Sequence, residues 1–145
     1  MTLEIFNYEQ LKIETFPSWT LYLHKEQYPY LGRCYAAAIR PEAEHIAQIT
    51  GPEASELNCY ITPLWYQTVQ KLYQADWPNL AILGNEWRHL HAHLIPRYFS
   101  PRNFYGYEFI DPQPNKNYAP YPKKELPLEL LFKIRDDIKK ELERI

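Results

Sequence analysis

The chain has only two cysteines among its 145 residues, and Cys34 and Cys59 form no Cys-x-x-Cys arrangement. Such a pair excludes a disulfide framework or a zinc site built on cysteines, and it indicates free or buried thiols. No run approaches the roughly eighteen apolar residues of a membrane span. The opening residues, MTLEIFNYEQ, lack the apolar stretch of a signal peptide. We therefore expect a cytoplasmic protein that makes no membrane contact.

An excess of positive charge is also missing, because 16 lysines and arginines stand against 18 aspartates and glutamates, a formal net charge of −2. This balance argues against general binding to duplex nucleic acid but leaves room for a small local anion site. Hydrophobic residues make up 46% of the chain, enough for a core. The length predicts a single domain over residues 1–145, in which residues 99–145 have no assigned role.

Two hydrophobic stretches in the first third of the chain predict a β-hairpin. The stretch WTLYLHK (19–25) alternates, which places Trp19, Leu21 and Leu23 on one face of a strand. The stretch CYAAAI (34–39) predicts the second strand. Turn residues between the two strands predict a connection of about six to nine residues.

Helical and strand patterns then follow one another. The sequence predicts a short helix over 41–49 and a long helix that begins at Thr50 or Gly51 and is kinked or split at Pro63. Strands are predicted over 79–84 and 88–96, with Pro96 ending the second. Residues 96–122 predict an ordered loop or a flap, and the last twenty residues an amphipathic helix. The elements together predict an α+β fold with an antiparallel sheet of about four to five strands, a long helix and a C-terminal helix.

Three of the five histidines lie in one short stretch, WRHLHAHLIPRY (87–98). Side chains alternate along a strand, so His89, His91 and His93 should share one face at steps of about 7 Å. Their neighbours Leu90, Ala92 and Leu94 should face the core. Because imidazole titrates near neutrality, each histidine can act as a nucleophile, an acid, a base or a hydrogen-bond donor to an anion.

The alternation alone leaves three hypotheses open. The first is a polar strand that faces solvent. The second is a metal site, because two histidines two residues apart on a strand can bind one Zn²⁺, with Glu86 or His45 available as a further ligand. The third is phosphoryl chemistry, in which one imidazole attacks phosphorus while its neighbours bind the phosphate oxygens and protonate the leaving group.

The whole stretch resembles the histidine triad (HIT) family, whose motif is His-φ-His-φ-His-φ-φ, where φ is hydrophobic. Residues 89–95, HLHAHLI, match this motif at all seven positions. The resemblance covers about residues 19–98 and is strongest to the bacterial branch that is described as diadenosine tetraphosphate hydrolase-like.

The resemblance implies a nucleotide hydrolase or nucleotidylyl transferase that acts at an α-phosphate, with dinucleoside polyphosphates among the candidate substrates. It implies that His91 is the nucleophile, that His93 binds phosphate and assists the leaving group, and that His89 orients the site. Asn79 and Asn85 fall near positions that contact substrate.

The resemblance further implies a homodimer that requires no cofactor, although Mg²⁺ can accompany a polyphosphate. The alternatives are a non-catalytic nucleotide-binding module and a metal-binding protein.

Three residues depart from the family pattern. Arg33 replaces the fourth histidine of the family, and an arginine can clamp phosphate but cannot shuttle protons. Lys25 replaces the residue that accepts hydrogen bonds from the ribose hydroxyls, which lysine cannot do. Glu86 replaces a hydroxyl residue, and a carboxylate beside phosphate is unfavourable unless it points away or is paired. We expect Arg33 and Lys25 to bind substrate and to alter its preference.

Aromatic residues indicate where a nucleobase could stack and what could cover it. A wall for a purine is predicted from Phe6, Trp19, Tyr22 and Leu23, with core packing as the alternative role. A flap over the site is predicted from Tyr98, Phe104 and Tyr105.

Overall fold

A computed structural model describes residues 7–145, so the prediction for Phe6 lies outside the described residues. Five strands form one antiparallel sheet in the order β1-β2-β3-β5-β4. Their bounds are Lys12–Thr15 (β1), Trp19–Leu23 (β2), Cys34–Ala38 (β3), Trp77–Ala81 (β4) and His91–Arg97 (β5). A long helix and a C-terminal helix accompany the sheet, which confirms the predicted α+β fold.

The buried face of the β2–β3 hairpin was predicted correctly. Trp19, Leu21 and Leu23 are buried, while the residues between them are half-buried. The connection spans residues 24–33, slightly longer than expected. The buried Gln27 amide organises it, because its Nε2 donates to the carbonyls of His24 and Arg33, each at 2.8 Å.

The long helix begins where the sequence predicts, and it is divided next to Pro63, also as predicted, by a π-helical turn. Thr50 caps it, with a reciprocal capping box to Glu53. The helix runs as α1 (Gly51–Glu56), a π-helical turn (Leu57–Ile61) and α2 (Thr62–Tyr73). Pro63 lies in the first turn of α2, and the wider π-turn before it relieves the crowding between the proline ring and the carbonyl four residues earlier. The predicted helix over 41–49 was wrong, since only a 3₁₀ turn forms there, at Ile46–Gln48.

The histidine strand differs from the prediction at both ends. It begins at His91, so His89 precedes it, and it continues through Pro96 to Arg97. Pro96 does not end the strand, because it lies opposite Pro78 of β4 and beyond the end of β3, whose Cys34 pairs with Leu94. No neighbouring strand therefore requires the missing N–H.

The chain after β5 is ordered, and its first part packs against the helices. A small hairpin joins β6 (Arg102–Phe104) to β7 (Tyr107–Phe109). Tyr98 is buried with its hydroxyl on the Leu31 carbonyl, and Tyr105 bonds to Tyr73 and Asp137. Phe104 packs on Tyr73. None of the predicted flap residues lines the histidine cleft, so that prediction was wrong.

Residues 111–123, called the strap below, return across the sheet. Its first residue, Asp111, is buried against Arg97, with Nε to Oδ2 at 2.7 Å and Nη2 to Oδ1 at 3.1 Å. Arg97 also donates to the carbonyls of Gln113 and Lys116, each at 2.6 Å. The strap therefore covers the Arg97 end of the sheet face and leaves the histidine end open.

Helix α3 (Leu128–Leu142) closes the chain as the predicted amphipathic helix, packed on α2 and β1. Its buried apolar residues are Leu131, Ile134, Ile138 and Leu142. Within residues 7–145, no helix has the length and apolar character needed to cross a membrane.

Candidate active site

An open cleft of about 1310 Å³ lies on the sheet face opposite the helices. Its floor is formed by side chains that alternate away from the core on β2, β3 and β5, and its rim by residues 83–87 and the strap. The cleft brings together His89, His91, His93, Arg33, Lys25 and Asn85 of the predicted site. Asn79 does not line it. The amide of Asn79 instead accepts a hydrogen bond from Arg97 Nη1 at 3.0 Å, beneath the strap.

The main chain fixes the tautomer of His91. Its Nδ1 lies 2.6 Å from the carbonyl oxygen of His89. Because a carbonyl oxygen only accepts, Nδ1 must carry the proton, and the neutral ring keeps its lone pair on Nε2. Burial lowers the pKa of His91, and the hydrogen bond to the His89 carbonyl partly offsets this effect. The ring is therefore neutral at physiological pH, with a nucleophilic Nε2.

His89 reaches the same cleft although it lies outside the strand. Its Nε2 lies 2.6 Å from the carbonyl oxygen of Ala38, so Nε2 is the protonated nitrogen. The chain is held here by two backbone hydrogen bonds, from Ala38 to the Leu90 carbonyl and from Leu90 to the Ala43 carbonyl. His89 thus contributes its main-chain carbonyl to His91 as well as a side chain to the cleft.

His93 lies between two other imidazoles. Its ring centroid is 5.0 Å from that of His91 and 5.7 Å from that of His24. Burial, followed by the charge of Arg33, lowers the pKa of His93 to about 4. Its Nδ1 is buried and has no hydrogen-bond partner among the described residues. His93 is therefore neutral near pH 7 and has hydrogen-bonding capacity left for a ligand.

His24 is a fourth cleft histidine that the sequence analysis missed. It follows β2 on the same face as Thr20 and Tyr22, opposite the predicted core face. Its Nδ1 accepts the backbone N–H of Glu26 at 3.0 Å, which leaves the proton of the neutral ring on Nε2. Burial, and then the nearby charge of Arg33, hold its pKa well below 6.5. Continuing the alternation by one residue beyond Leu23 would have found it.

Arg33 is a buried cation held by the strap. Only 3% of its surface is exposed. Its Nη1 donates to the Tyr121 hydroxyl at 2.8 Å, and its guanidinium lies over the rings of Tyr118 and Tyr121, at 5.5 and 5.2 Å. Its Nε has no hydrogen-bond partner among the described residues.

A carboxylate completes this network. Tyr121 donates its hydroxyl proton to Glu26, whose other oxygen lies 3.4 Å from Lys123 Nζ. Burial acts to raise the pKa of Glu26, but the bonds from Tyr121 and Lys123 outweigh it and lower that pKa. Glu26 is therefore ionised and already paired.

Aromatic rings surround the nucleophile. The Trp87 indole lies 4.7 Å from the His91 ring at 33° and 5.2 Å from the His89 ring, and about half of its surface is exposed. Tyr22 and Tyr35 stack at 5.1 Å elsewhere on the cleft floor. Two members of the predicted purine wall were placed wrongly, because Trp19 and Leu23 are buried in the core on the other face.

The described residues contain no group of three or more His, Cys, Asp or Glu side chains that could hold one metal ion. The two cysteines are free, Cys34 buried and Cys59 exposed. Glu86, the residue expected to disfavour phosphate, is exposed at the rim of the cleft.

Comparison with known proteins identifies the architecture. A histidine triad protein from Sinorhizobium meliloti matches with a TM-score of 0.70 at 20% identity, over 92% of this chain and 91% of that protein. One from Marinobacter aquaeolei matches with a TM-score of 0.69 at 17% identity, over 94% of each chain. Plasmodium falciparum diadenosine triphosphate hydrolase matches with a TM-score of 0.65 at 13% identity, over 94% of this chain and 78% of the hydrolase. No family model and no curated protein matches the sequence. On its architecture, the chain has the histidine triad fold.

Proposed function

We propose that this protein is a histidine triad nucleotide hydrolase or nucleotidylyl transferase that acts at an α-phosphate, with His91 as its nucleophile. The observation that carries the proposal is the tautomer of His91, whose Nδ1 is committed to the His89 carbonyl while Nε2 keeps its lone pair. A polar strand that merely faced solvent would not need a buried, neutral and oriented imidazole.

The proposed reaction has two steps. In the first, Nε2 of His91 bonds to the α-phosphorus while the bond from phosphorus to the leaving atom breaks, an oxygen in a polyphosphate or a nitrogen in a phosphoramidate. The leaving group takes up a proton from water through His93. The His89 carbonyl stabilises the positive charge that develops on the His91 ring. In the second step, water or another acceptor attacks the same phosphorus and releases His91. His93 is proposed to bind the phosphate oxygens and assist the leaving group.

The substrate is proposed to be a nucleotide, with dinucleoside polyphosphates as leading candidates. The similarity in fold to a diadenosine triphosphate hydrolase supports this class. Arg33, Lys25 and Asn85 line the cleft and are proposed to bind the substrate. Asn79 is proposed to act indirectly, by holding Arg97 beneath the strap. No resident cofactor is proposed, and Mg²⁺ would enter as part of a polyphosphate substrate.

One observation favours a second candidate, a nucleotide-binding module without turnover. Trp87 lies against the His91 ring on the open side of the cleft. If it stays there when a nucleotide binds, it will limit the approach of an α-phosphate to Nε2.

Covalent labelling tests the two candidates. The wild-type protein is incubated with a panel of dinucleoside polyphosphates and nucleoside phosphoramidates, quenched, and analysed by intact-protein mass spectrometry and for released nucleotide. We expect a nucleotidyl adduct and released nucleotide from the wild type, and neither from His91→Ala. The control is His45→Ala, an exposed histidine outside the cleft. If nucleotides bind wild type and His91→Ala alike and neither yields an adduct or product, the binding module is correct.

A cytoplasmic homodimer remains our prediction for the cellular form. The exposed apolar residues of the edge strand β4 support the dimer.

A further inference from the structure

The main chain assigns the protonated nitrogen of two triad histidines but not of the third. His91 carries its proton on Nδ1, toward the His89 carbonyl, and His89 carries its own on Nε2, toward the Ala38 carbonyl. Within residues 7–145, His93 makes no such bond, and its Nδ1 is buried without a partner. A neighbouring side chain is therefore left to decide which nitrogen of His93 carries the proton.

His24 is suited to this task because its own tautomer is fixed. Its Nδ1 accepts the backbone N–H of Glu26 at 3.0 Å, so the proton of the neutral ring lies on Nε2. The buried Gln27 amide holds the backbone here, since its Nε2 donates to the carbonyls of His24 and Arg33. His24 therefore offers one N–H donor to the cleft, on a ring that is held at its other nitrogen.

The spacing of the His24 and His93 rings is close to that of a hydrogen-bonded pair. Their centroids lie 5.7 Å apart, at an interplanar angle of 52°. In a linear N–H···N bond of about 2.9 Å, with each nitrogen about 1.1 Å from its ring centre, the centroids would lie about 5.1 Å apart. A shift of roughly half an ångström, with a small ring rotation, would therefore join Nε2 of His24 to Nδ1 of His93.

The other neighbours of His93 are less suited to hold its Nδ1. The ring centroid of His91 lies 5.0 Å away, but its Nε2 is a lone pair and cannot donate. Arg33 is a donor with an unpartnered Nε, and its charge is near enough to lower the pKa of His93. Its guanidinium, however, is held against the tyrosine rings of the strap. The ring spacing therefore favours His24 as the donor.

We propose that His24 is a positioning residue, which donates from Nε2 to Nδ1 of His93 and thereby sets the proton of His93 on Nε2, toward the cleft. The inference rests on the proposed function, in which His93 binds the phosphate oxygens. With its proton on Nε2, a neutral His93 donates a hydrogen bond to a phosphoryl oxygen, whereas the other tautomer would present a lone pair to it. The contact also gives the buried Nδ1 of His93 a partner.

Nitrogen NMR of the ligand-free protein, labelled with ¹⁵N-histidine, tests this inference at neutral pH, because the ring-nitrogen shifts identify which nitrogen carries the proton. In the wild type we expect the proton of His93 on Nε2. His24→Asn keeps an acceptor for the Glu26 N–H but is too short to reach His93, so that proton should divide between both nitrogens. His24→Gln can place an N–H near the lost Nε2 and should restore the wild-type shifts. His45→Asn, at an exposed histidine outside the cleft, is the control and should change nothing.

Turnover of diadenosine tetraphosphate and of adenosine 5′-phosphoramidate is the second measurement. His24→Asn should lower kcat/KM by about 10–100-fold, the range for loss of a partner that orients a working histidine, and His24→Gln should recover most of it. If the wild type turns over neither probe, the proposed function fails for them, while the nitrogen spectra still decide the inference. If the proton of His93 lies on Nδ1, or if His24→Asn leaves it on Nε2 alone, only the inference is overturned.

Discussion

Burial keeps the imidazole rings of three cleft histidines neutral. Burial lowers the pKa of His24, His91 and His93, in the last case from 6.5 to about 4. A neutral ring is the nucleophilic form, so the cleft should remain competent well below the pH at which a free histidine becomes charged. The same pKa shifts make the free energy of unfolding depend on pH, because these histidines bind protons more readily in the unfolded chain than in the folded one.

The first prediction concerns this linkage. As the pH falls from 6.5 to about 5, the unfolded state binds protons on these histidines while burial keeps His93 and His24 largely neutral in the folded state. The free energy of unfolding should fall by up to about 1.4 kcal/mol per pH unit for each such histidine. Urea denaturation at a series of pH values measures the slope. In His24→Asn the new Oδ1 can still accept the backbone N–H of Glu26. This variant should reduce the slope of the unfolding free energy against pH by the equivalent of about one bound proton. An unchanged slope would contradict the prediction.

The second prediction concerns Trp87. Its indole covers the His91 ring, and burial is the main cause of the lowered pKa of His91. Trp87→Ala should expose the ring and raise that pKa toward 6.5, as measured by NMR titration of the His91 ring protons. Trp77→Ala removes another exposed tryptophan, one that does not line the cleft, and should leave the titration unchanged. An identical His91 titration in both variants would show that Trp87 does not shield the ring.

Residues in a local pattern could be predicted from the sequence, and residues held by distant contacts could not. The alternation of His89, His91 and His93 identified the cleft, although His89 precedes the strand. His24 could also have been predicted, because it continues the alternation of β2 one residue beyond Leu23, on the face that points into the cleft. The place of Trp87 depends on a loop without any period, so no pattern indicated it.

At the scale of elements, the strap depends on a buried ion pair. Arg97 and Asp111 are almost completely buried, and Arg97 donates to three further oxygens, on Asn79, Gln113 and Lys116. Loss of one partner of a buried pair leaves an uncompensated charge. The sequence did not predict this contact, since residues 96–122 have no period and the pair joins a strand to an irregular segment.

The third prediction follows from that pair. Asp111→Asn keeps the shape but removes the counter-charge of Arg97, so it should destabilise the protein by about 3–5 kcal/mol or release the strap. Chemical denaturation detects the first result, and hydrogen exchange over residues 111–123 the second. The control is Lys133→Ala, which breaks the exposed pair with Asp137 and should cost under about 1 kcal/mol. Normal stability together with normal exchange in Asp111→Asn would contradict the prediction.

Elements with strong local signals were predicted best. The capped start of the long helix and the faces of β2 were correct because the capping box and the alternation are local. Proline was interpreted correctly at Pro63, beside the division between α1 and α2, and wrongly at Pro96. At Pro96 the expected conflict does not arise, because this position of the strand requires no backbone N–H.

At the scale of the whole molecule, the two edges of the sheet differ. The β1 edge is covered, because α3 packs against β1 and also against the 3₁₀ turn Tyr8–Leu11, which contacts β2. The β4 edge has no strand beyond it among residues 7–145, and it presents Trp77 and Leu80, exposed by 60% and 39%. An apolar, unpaired edge strand is a surface for pairing with another chain. We therefore expect the homodimer to form through β4.

The fourth prediction tests this edge by placing a charge on it. We expect the wild type to be a dimer and Leu80→Lys to be a monomer at micromolar concentration, because a buried lysine at the centre of the interface would lack a partner. Sedimentation velocity or light scattering measures the mass. Leu128→Lys is the matched control, since Leu128 is similarly exposed, at 42%, but lies at the start of α3. A monomeric wild type, or a Leu80→Lys variant that dimerises as well as Leu128→Lys, would rule out β4 as the interface. Because the histidine cleft is built within one chain, monomeric Leu80→Lys should still bind nucleotide.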